Sequence, residues 1–260
     1  MHIMERKINK MNLERVIAVR NAKTLYRDGA GNVIKVFDKE YSKVDVLNEA
    51  LNQALVENLS LNIPKIYAVE MVEEKWAIIS EYIKGKSLAD LMQLNPEKED
   101  EYLELFVNLQ LQMHQIKGVN LKKLKDKMNQ KIAKTDLDAT TRYELHTRLE
   151  GMPKHNKLCH GDFNPSNIII REDGTPFIID WSHATQGNAS ADVARTYLLF
   201  NLNNNSVLAD KYLDLYCKKS GVAKKYIQSW LPIVAASQSV KGFPHEREML
   251  LSWVNVVDYE

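Results

Sequence analysis

The stretch "CHGDFNPSNIII", residues 159–170, places an acid, Asp162, and two amides, Asn164 and Asn167, within six positions and then runs straight into apolar residues. Thirteen residues beyond Asn167 a second acid, Asp180, closes another apolar run, "FIIDW". Asp173-Gly174 between the runs is a turn signal, so the pattern predicts a hairpin whose open end brings Asn167 and Asp180 together. An amide oxygen and a carboxylate are hard donors, and such a pair, completed by waters, suits Mg²⁺ carrying nucleotide phosphates. Asp162, beside that metal but not needed as a ligand, can accept the proton of an attacking hydroxyl. Phosphoryl transfer is the chemistry these residues support, because its transition state needs positioning and charge neutralisation more than covalent help. A lone Asp and Asn five positions apart is weak, since loop Asp and Asn often satisfy only local backbone groups. Order, spacing and the apolar flanks lift this set above that reading.

The elements that must position these residues fall into two groups. "RVIAVRNAKTLYRDG" and "NVIKVF" are β-rich runs separated by Asp28-Gly29-Ala30-Gly31-Asn32, which predicts a hairpin. In "SKVDVLNEALNQALVENL", Val44, Leu47, Leu51 and Leu55 recur at helical intervals, predicting an amphipathic helix with Ser42 as N-cap and these residues on its buried face. Pro64 ends it. "KIYAVEMV" and "WAIISEYI", joined by a charged turn, add two strands.

From Ser87 the pattern turns helical. "PEKEDEYLELFVNLQLQMHQIKG" has Pro96 in its first turn and Gly118 past its end. Residues 119–156 are polar and Lys-rich, and read as two surface helices. The segments after Asp192, including "AKKYIQSWLPIVAASQSV" and "HEREMLLSWVNVVDY", read as further helices. The expected boundary lies at Lys84-Gly85-Lys86, dividing a strand-rich part, 1–83, from a helix-rich part, 84–260. A ligand is expected in a cleft between such lobes.

With 45% hydrophobic and 27% charged residues, the 260-residue chain has the balance of an ordinary globular protein. A formal net charge of +1 leaves no global field to attract nucleic acid or an anionic membrane, so neither is expected as a partner. Cys159 and Cys217 have no metal-ligand spacing and read as free thiols in a reducing compartment. No run reaches the roughly 20 apolar residues of a membrane span, and the amino terminus lacks the apolar core of a secretory signal. A cytoplasmic protein is expected, with the Asn188-Ala189-Ser190 glycosylation triplet a chance match.

"CHGDFNPSNIII" followed by "FIIDW" resembles the catalytic motif of the aminoglycoside phosphotransferase and choline kinase superfamily, whose members share the protein-kinase fold. Lys35 in "VIKVF" resembles that fold's third-strand lysine, and Glu49 in "LNEAL" the helix glutamate that pairs with it. The resemblance spans about residues 15–200. It implies an α+β bilobal fold, with a small antiparallel-sheet N-lobe carrying one helix and a larger, mainly helical C-lobe. It implies ATP or GTP and Mg²⁺ as cofactors and a small-molecule hydroxyl as acceptor.

By the same resemblance Asp162 is the catalytic base and Asn167 and Asp180 hold Mg²⁺. Lys35, oriented by Glu49, contacts the nucleotide phosphates. "SEYIKG" resembles the hinge, where backbone groups of Glu81, Tyr82 and Ile83 hydrogen-bond the adenine. Asp192 resembles an aspartate that braces the catalytic loop, and His160 a residue that shapes it. His183 reads as incidental. Trp230, Trp253 and Phe243 read as core or groove aromatics before a cation-binding box.

One departure stands out. "VRNAKT", where a protein kinase carries a Gly-rich phosphate loop, contains no glycine, which leaves the amides of Asn21, Ala22 and Lys23 as the expected clamp. A protein kinase is disfavoured because only eleven residues separate Asp180 from Asp192, too few for a peptide-holding activation segment. A nucleotide-binding pseudokinase is the alternative, and retention of Lys35, Asp162, Asn167 and Asp180 together argues against it. The last helix offers Glu246, Glu248 and Asp258 among Phe243, Trp253 and Tyr259. That mixture leaves an aminoglycoside, an amino alcohol and a sugar all open as acceptors.

Overall fold

A computed structural model describes residues 13, 15–20 and 22–254. The chain is α+β and forms two compact units, Met1–Lys84 and Gly85–Glu260.

The first unit runs β1 (Arg15–Arg20), β2 (Lys23–Arg27), β3 (Asn32–Phe37), α1 (Lys43–Val56), β4 (Ile66–Val72) and β5 (Lys75–Glu81). Its five strands form one antiparallel sheet in the order β1-β2-β3-β5-β4. The Asp28 carboxylate accepts the backbone N–H groups of Ala30 and Asn32 and so builds the turn before β3. Between β4 and β5, Glu73 and Glu74 both have positive φ, 50° and 63°, the backbone of a tight hairpin turn that matches strand twist.

Alternation along β3 and β5 makes two apolar layers. Ile34, Val36, Val72, Ala77 and Ile79 pack on one face, whereas Phe37 and Ile78 face Val46 and Ala50 of α1 on the other. The packed face of α1 is therefore not the expected one. Val46, Glu49, Ala50 and Val56 are buried, while Val44, Leu47 and Leu51 are exposed. The helix is rotated so that Glu49 turns inward, where Lys35 and Lys23 of the sheet meet it. Ser42 occupies the N-cap position without a side-chain cap hydrogen bond.

The second unit begins with β6 (Gly85–Ser87), α2 (Leu88–Leu94), α3 (Glu99–Met113), α4 (Leu124–Ile132) and α5 (Ala139–Gly151). β7 (Lys157–Cys159), β8 (Ile168–Arg171), β9 (Pro176–Ile178) and β10 (Thr185–Gly187) follow. The chain continues with α6 (Ala189–Leu202), α7 (Ser206–Ser220), α8 (Lys224–Gln228), α9 (Leu231–Ser239) and α10 (Pro244–Val254). Its strands form two small sheets, β6-β8-β9 and β10-β7.

Ser87 and Asp90 close a reciprocal capping box on α2, which fixes where helix begins. α3 stops at Met113, earlier than Gly118 suggests, because the next residue, His114, is held by side-chain partners in the interior. The single helix expected around Trp230 is two, since Pro232 starts a new one in its first turn. Residues 119–156 hold the two expected helices, but they are not merely superficial. α4 buries Leu124, Met128 and Ile132. No helix of the described residues is long and apolar enough to cross a membrane.

Phe106 of α3 anchors the helical core, with its ring 4.6 Å from Phe163, 5.8 Å from Phe200 and 5.7 Å from Tyr212. Because Phe163 directly follows Asp162, this packing also supports the polar stretch. Phe106→Ala is expected to lower unfolding free energy by about 3–5 kcal/mol, measured by urea denaturation. A loss below about 1 kcal/mol would contradict that anchoring role.

Candidate active site

The polar stretch leaves β7 at Cys159 and is held from behind by Asp192, in the first turn of α6. Asp192 is 1% exposed. Its carboxylate accepts the backbone N–H of His160 at 3.1 Å and of Gly161 at 2.7 Å, and contacts His114 Nε2 at 3.2 Å. Burial alone would push this carboxyl up, but the His114 contact and the Gly161 N–H outweigh it and hold the pKa below the ordinary value. His114, Cys159 and Asp192 place candidate ligand atoms within 4.8 Å of one another. With Asp192 committed to these donors and His114 also bonded to Tyr216, the cluster reads as a structural brace.

Gly161 has φ +77°, and a Cβ there would lie 2.6 Å from the His183 carbonyl oxygen. Only glycine meets both constraints. His160 is buried, accepts the Asp162 N–H at Nδ1 and contacts the Ile179 carbonyl oxygen through Nε2 at 3.0 Å. It shapes the loop, as expected, and is spent as a base.

Asp162 is partly exposed, and two amides converge on it. Asn164 Nδ2 donates to its backbone oxygen at 2.9 Å, and Asn167 Nδ2 donates to the same oxygen at 2.9 Å and to Oδ2 at 3.1 Å. Asn164 also accepts the Ser166 N–H, starting a short 3-10 turn over Pro165–Asn167. That turn delivers Asn167 to the start of β8.

β8 and β9 pair with Ile168 opposite Ile178, and the Ile179 N–H donates to the Asn167 carbonyl oxygen at 2.9 Å. Asn167 and Asp180 therefore stand at the same open end of this hairpin. Asp180 has φ 61° and ψ 64°, a left-handed backbone uncommon for a residue with a Cβ and adopted most readily by aspartate and asparagine. The Asn167 amide directs its nitrogen at Asp162. Its oxygen accepts no hydrogen bond among the described residues. That oxygen and the Asp180 carboxylate are the hard donors Mg²⁺ takes, so the residues present fit the ion.

Sequence reasoning missed the cations around Asp162. Arg195 of α6 donates through Nε to the Gly161 carbonyl oxygen at 3.0 Å and through Nη1 to Gln238 Oε1 at 2.7 Å, and its Nη2 lies 3.6 Å from Asp162 Oδ1. Lys127 of α4 donates to the His183 carbonyl oxygen at 2.9 Å. Burial, together with the neighbouring charges of Lys131 and Arg195, lowers the Lys127 pKa to about 7. Burial and Arg195 lower that of Lys131 to about 8. His183 is half-buried, and burial beside Lys127 and Arg195 pushes its pKa far down, so the ring is neutral. The only hint in the sequence was the spacing of Lys127 and Lys131, one turn apart on a helix that otherwise reads as a solvated face.

In the first unit, Lys35 Nζ donates to Glu49 Oε1, and Lys23 Nζ lies 3.4 Å from Glu49 Oε2. Glu49 is 6% exposed, so this pair is inside the unit. Lys23 is the unforeseen member: its side chain reaches the same carboxylate. The turn before it contains Ala22 at φ 59°, while Asn21 lies outside the described residues. In the segment resembling a hinge, the Glu81 N–H donates to the Lys65 carbonyl oxygen at 2.8 Å and the Tyr82 N–H to that of Gly31 at 3.2 Å. The Glu81 carboxylate accepts the Lys65 N–H at 3.2 Å. Ile83 is buried, and its N–H makes no hydrogen bond among the described residues.

The aromatics do not gather into a box. Trp230 is fully buried, Trp253 packs 5.6 Å from Tyr197, and Phe243 stacks on His245. Glu246 accepts from Gln238 at 2.7 Å, whereas Glu248 is exposed. Asp258 and Tyr259 lie outside the described residues.

Residues 19–226 match the sequence profile described as the phosphotransferase enzyme family, and the chain belongs to that family. Among solved structures it is similar to aminoglycoside phosphotransferase APH(2'')-Ib bound to ADP: 20% identity, TM-score 0.63, 95% of this chain and 92% of that one. It is also similar to choline kinase LicA from Streptococcus pneumoniae, with 17% identity, TM-score 0.61, and 91% and 86% of the two chains covered. A ternary complex of APH(4)-Ia with ADP and hygromycin B gives 14% identity, TM-score 0.64, and 92% and 89% coverage. No curated protein matches the chain. The resemblance to the aminoglycoside phosphotransferase and choline kinase superfamily, and the protein-kinase-like fold it implied, hold.

Lys127 gives a sign-defined test of this electrostatic setting. Its pKa is about 7 when folded, against an ordinary 10.5. Between those values the unfolded chain binds more protons, so this lysine makes the folded state gain stability as pH rises. Lys127→Met removes the effect. The melting temperature of the variant relative to wild type should be most favourable near pH 6 and fall steadily toward pH 10. A difference independent of pH would contradict the buried cationic setting.

Proposed function

We propose that the chain is a Mg²⁺-dependent phosphotransferase that moves the γ-phosphate of ATP or GTP to a hydroxyl of a small molecule, such as an aminoglycoside, amino alcohol or sugar. One observation carries the reading: Asn167 and Asp180 share the open end of a hairpin, and the Asn167 amide is bonded to Asp162. In this reading Asn167 and Asp180 hold the metal, and Asp162 takes the hydroxyl proton as the oxygen attacks. The metal supplies charge neutralisation on the phosphate oxygens.

The first unit is the nucleotide-binding part. Lys35, with Glu49 fixing its ammonium, contacts the α- and β-phosphates, and Lys23 adds a second cation on the same carboxylate. The Glu81–Ile83 backbone receives the adenine, with the unengaged Ile83 N–H as the donor. The second unit, from Gly85 onward, supplies catalysis and the acceptor site. A small acceptor is favoured over a peptide because the residues between Asp180 and α6 are used by a 3-10 turn, Trp181–His183, and by β10 paired to β7. Nothing there is free to form a peptide platform.

Asp162→Ala is expected to retain Mg·ATP stabilisation in thermal melts while transfer falls by about 10²–10⁴-fold. Asp180→Ala should instead weaken Mg·ATP binding itself. Transfer at the wild-type rate by Asp162→Ala would remove Asp162 as base. A wild-type protein that binds Mg·ATP and never transfers phosphate would be the nucleotide-binding pseudokinase.

A further inference from the structure

Gly161, the residue before Asp162, is gripped at both ends by α6. Its N–H donates to the Asp192 carboxylate at 2.7 Å, and its carbonyl oxygen accepts from Arg195 Nε at 3.0 Å. Asp192 and Arg195 share one face of the helix, so a single element sets both sides of that residue. Thr196, fully buried, extends the grip past Asp162 by donating through Oγ1 to the Phe163 carbonyl oxygen at 2.8 Å. The Asp162 carboxylate is itself held from two sides. Asn167 Nδ2 donates to Oδ2 at 3.1 Å, and Arg195 Nη2 lies 3.6 Å from Oδ1, the one ion pair Asp162 makes among the described residues.

The remaining Arg195 nitrogen reaches away from the loop. Nη1 donates to Gln238 Oε1 at 2.7 Å, and Gln238 Nε2 donates at 2.7 Å to Oε2 of Glu246, in the first turn of α10. Only one orientation of the Gln238 amide serves both neighbours, because its oxygen alone can accept from a guanidinium and its nitrogen alone can donate to a carboxylate. Arg195 and Gln238 are 7% and 1% exposed, so water is no ready substitute for either partner. Asp162, Arg195, Gln238 and Glu246 thus form one continuous run of polar contacts from the loop to α10. α10 is tied down again by Arg247, whose Nη1 lies 2.8 Å from Asp136 Oδ2 in the connection between α4 and α5. A planar guanidinium with each nitrogen engaged has its plane fixed, which a lysine ammonium could not reproduce.

We propose that Arg195 is the positioning residue of Asp162 and that Gln238 and Glu246 hold its guanidinium in place, so that the seating of α10 sets the rate of phosphate transfer. The inference rests on the phosphotransferase reading and deepens it. A base must stand within hydrogen-bond reach of the hydroxyl whose proton it takes. A carboxylate released from Arg195 turns away from that geometry, while Lys35 and Asp180, the groups assigned to Mg·ATP, keep theirs. The signature is a fall in kcat with little change in the KM for Mg·ATP.

The test measures ADP release by the full chain from Mg·ATP, with water alone and with kanamycin, choline or ribose added, beside thermal melts with and without Mg·ATP. Arg195→Lys keeps the charge and loses the fork. Gln238→Glu offers the guanidinium a carboxylate whose two oxygens are both free, since Glu246 cannot donate to it, and draws Arg195 from Asp162. Each should lower kcat about 10–100-fold and leave the KM for Mg·ATP within about twofold of wild type. Adding Glu246→Gln to Gln238→Glu returns a donor to that carboxylate, occupies one of its oxygens and should recover most of the lost kcat. The two cuts are independent, so a fold lost in one leaves the other decisive. Wild-type kcat in both, with only the melting temperature lowered, would make the contacts structural and overturn the inference, leaving the phosphotransferase reading standing. So would a raised KM for Mg·ATP at constant kcat, which would put these residues on the nucleotide. Failure of Glu246→Gln to recover Gln238→Glu would overturn the link to α10. A wild type that binds Mg·ATP and releases no ADP under any of these conditions would overturn both the inference and the reading beneath it.

Discussion

A buried carboxylate surrounded by donors cannot move without leaving charge and N–H groups unsatisfied in the interior, and Asp192 is in that position. It fixes the backbone of His160 and Gly161, the two residues before Asp162, from the first turn of α6. His114, at the end of α3, completes the clamp. Three parts of the second unit thus meet at one carboxylate, and the polar stretch between β7 and β8 inherits its position from them. Gly161 is the point where the chain turns sharply enough to do this against the His183 carbonyl oxygen.

From that fixed loop the rest of the site is a matter of register. The 3-10 turn delivers Asn167 to the first residue before β8, and the β8–β9 pairing brings Asp180 to the same end. The left-handed backbone of Asp180 sets the direction in which its carboxylate leaves the strand. The Asn167 amide nitrogen donates to Asp162 while its oxygen accepts no hydrogen bond among the described residues, and in the proposed reaction that oxygen is left for the metal. In the first unit the same economy recurs: one buried glutamate, Glu49, sets two lysines from adjacent strands.

Much of this was legible in the sequence, because strands declare themselves by alternation and turns by Asp-Gly. The Asp162, Asn167 and Asp180 spacing needed only a hairpin to become a site. What was not legible depended on packing partners that lie far away in sequence. The apolar stripe Val44, Leu47 and Leu51 looks like a buried face by periodicity, yet α1 turns Glu49 inward, since the sheet offers two lysines there. Likewise, Lys127 and Lys131 read as solvated charges on a polar helix. Only the packing of Leu124, Met128 and Ile132 into the second unit carries them toward Asp162. The brace was visible as a resemblance, but its link through His114 was not, because 78 residues separate His114 from Asp192.

We propose that the open end of the β8–β9 hairpin holds the metal that carries the nucleotide. The most direct test is electron paramagnetic resonance titration of Mn²⁺ into the protein with ATP present, comparing wild type with Asn167→Ala. Tight, ATP-dependent Mn²⁺ binding is expected in wild type, with a clear loss of affinity in the variant. Equal Mn²⁺ affinity in the two proteins would contradict it.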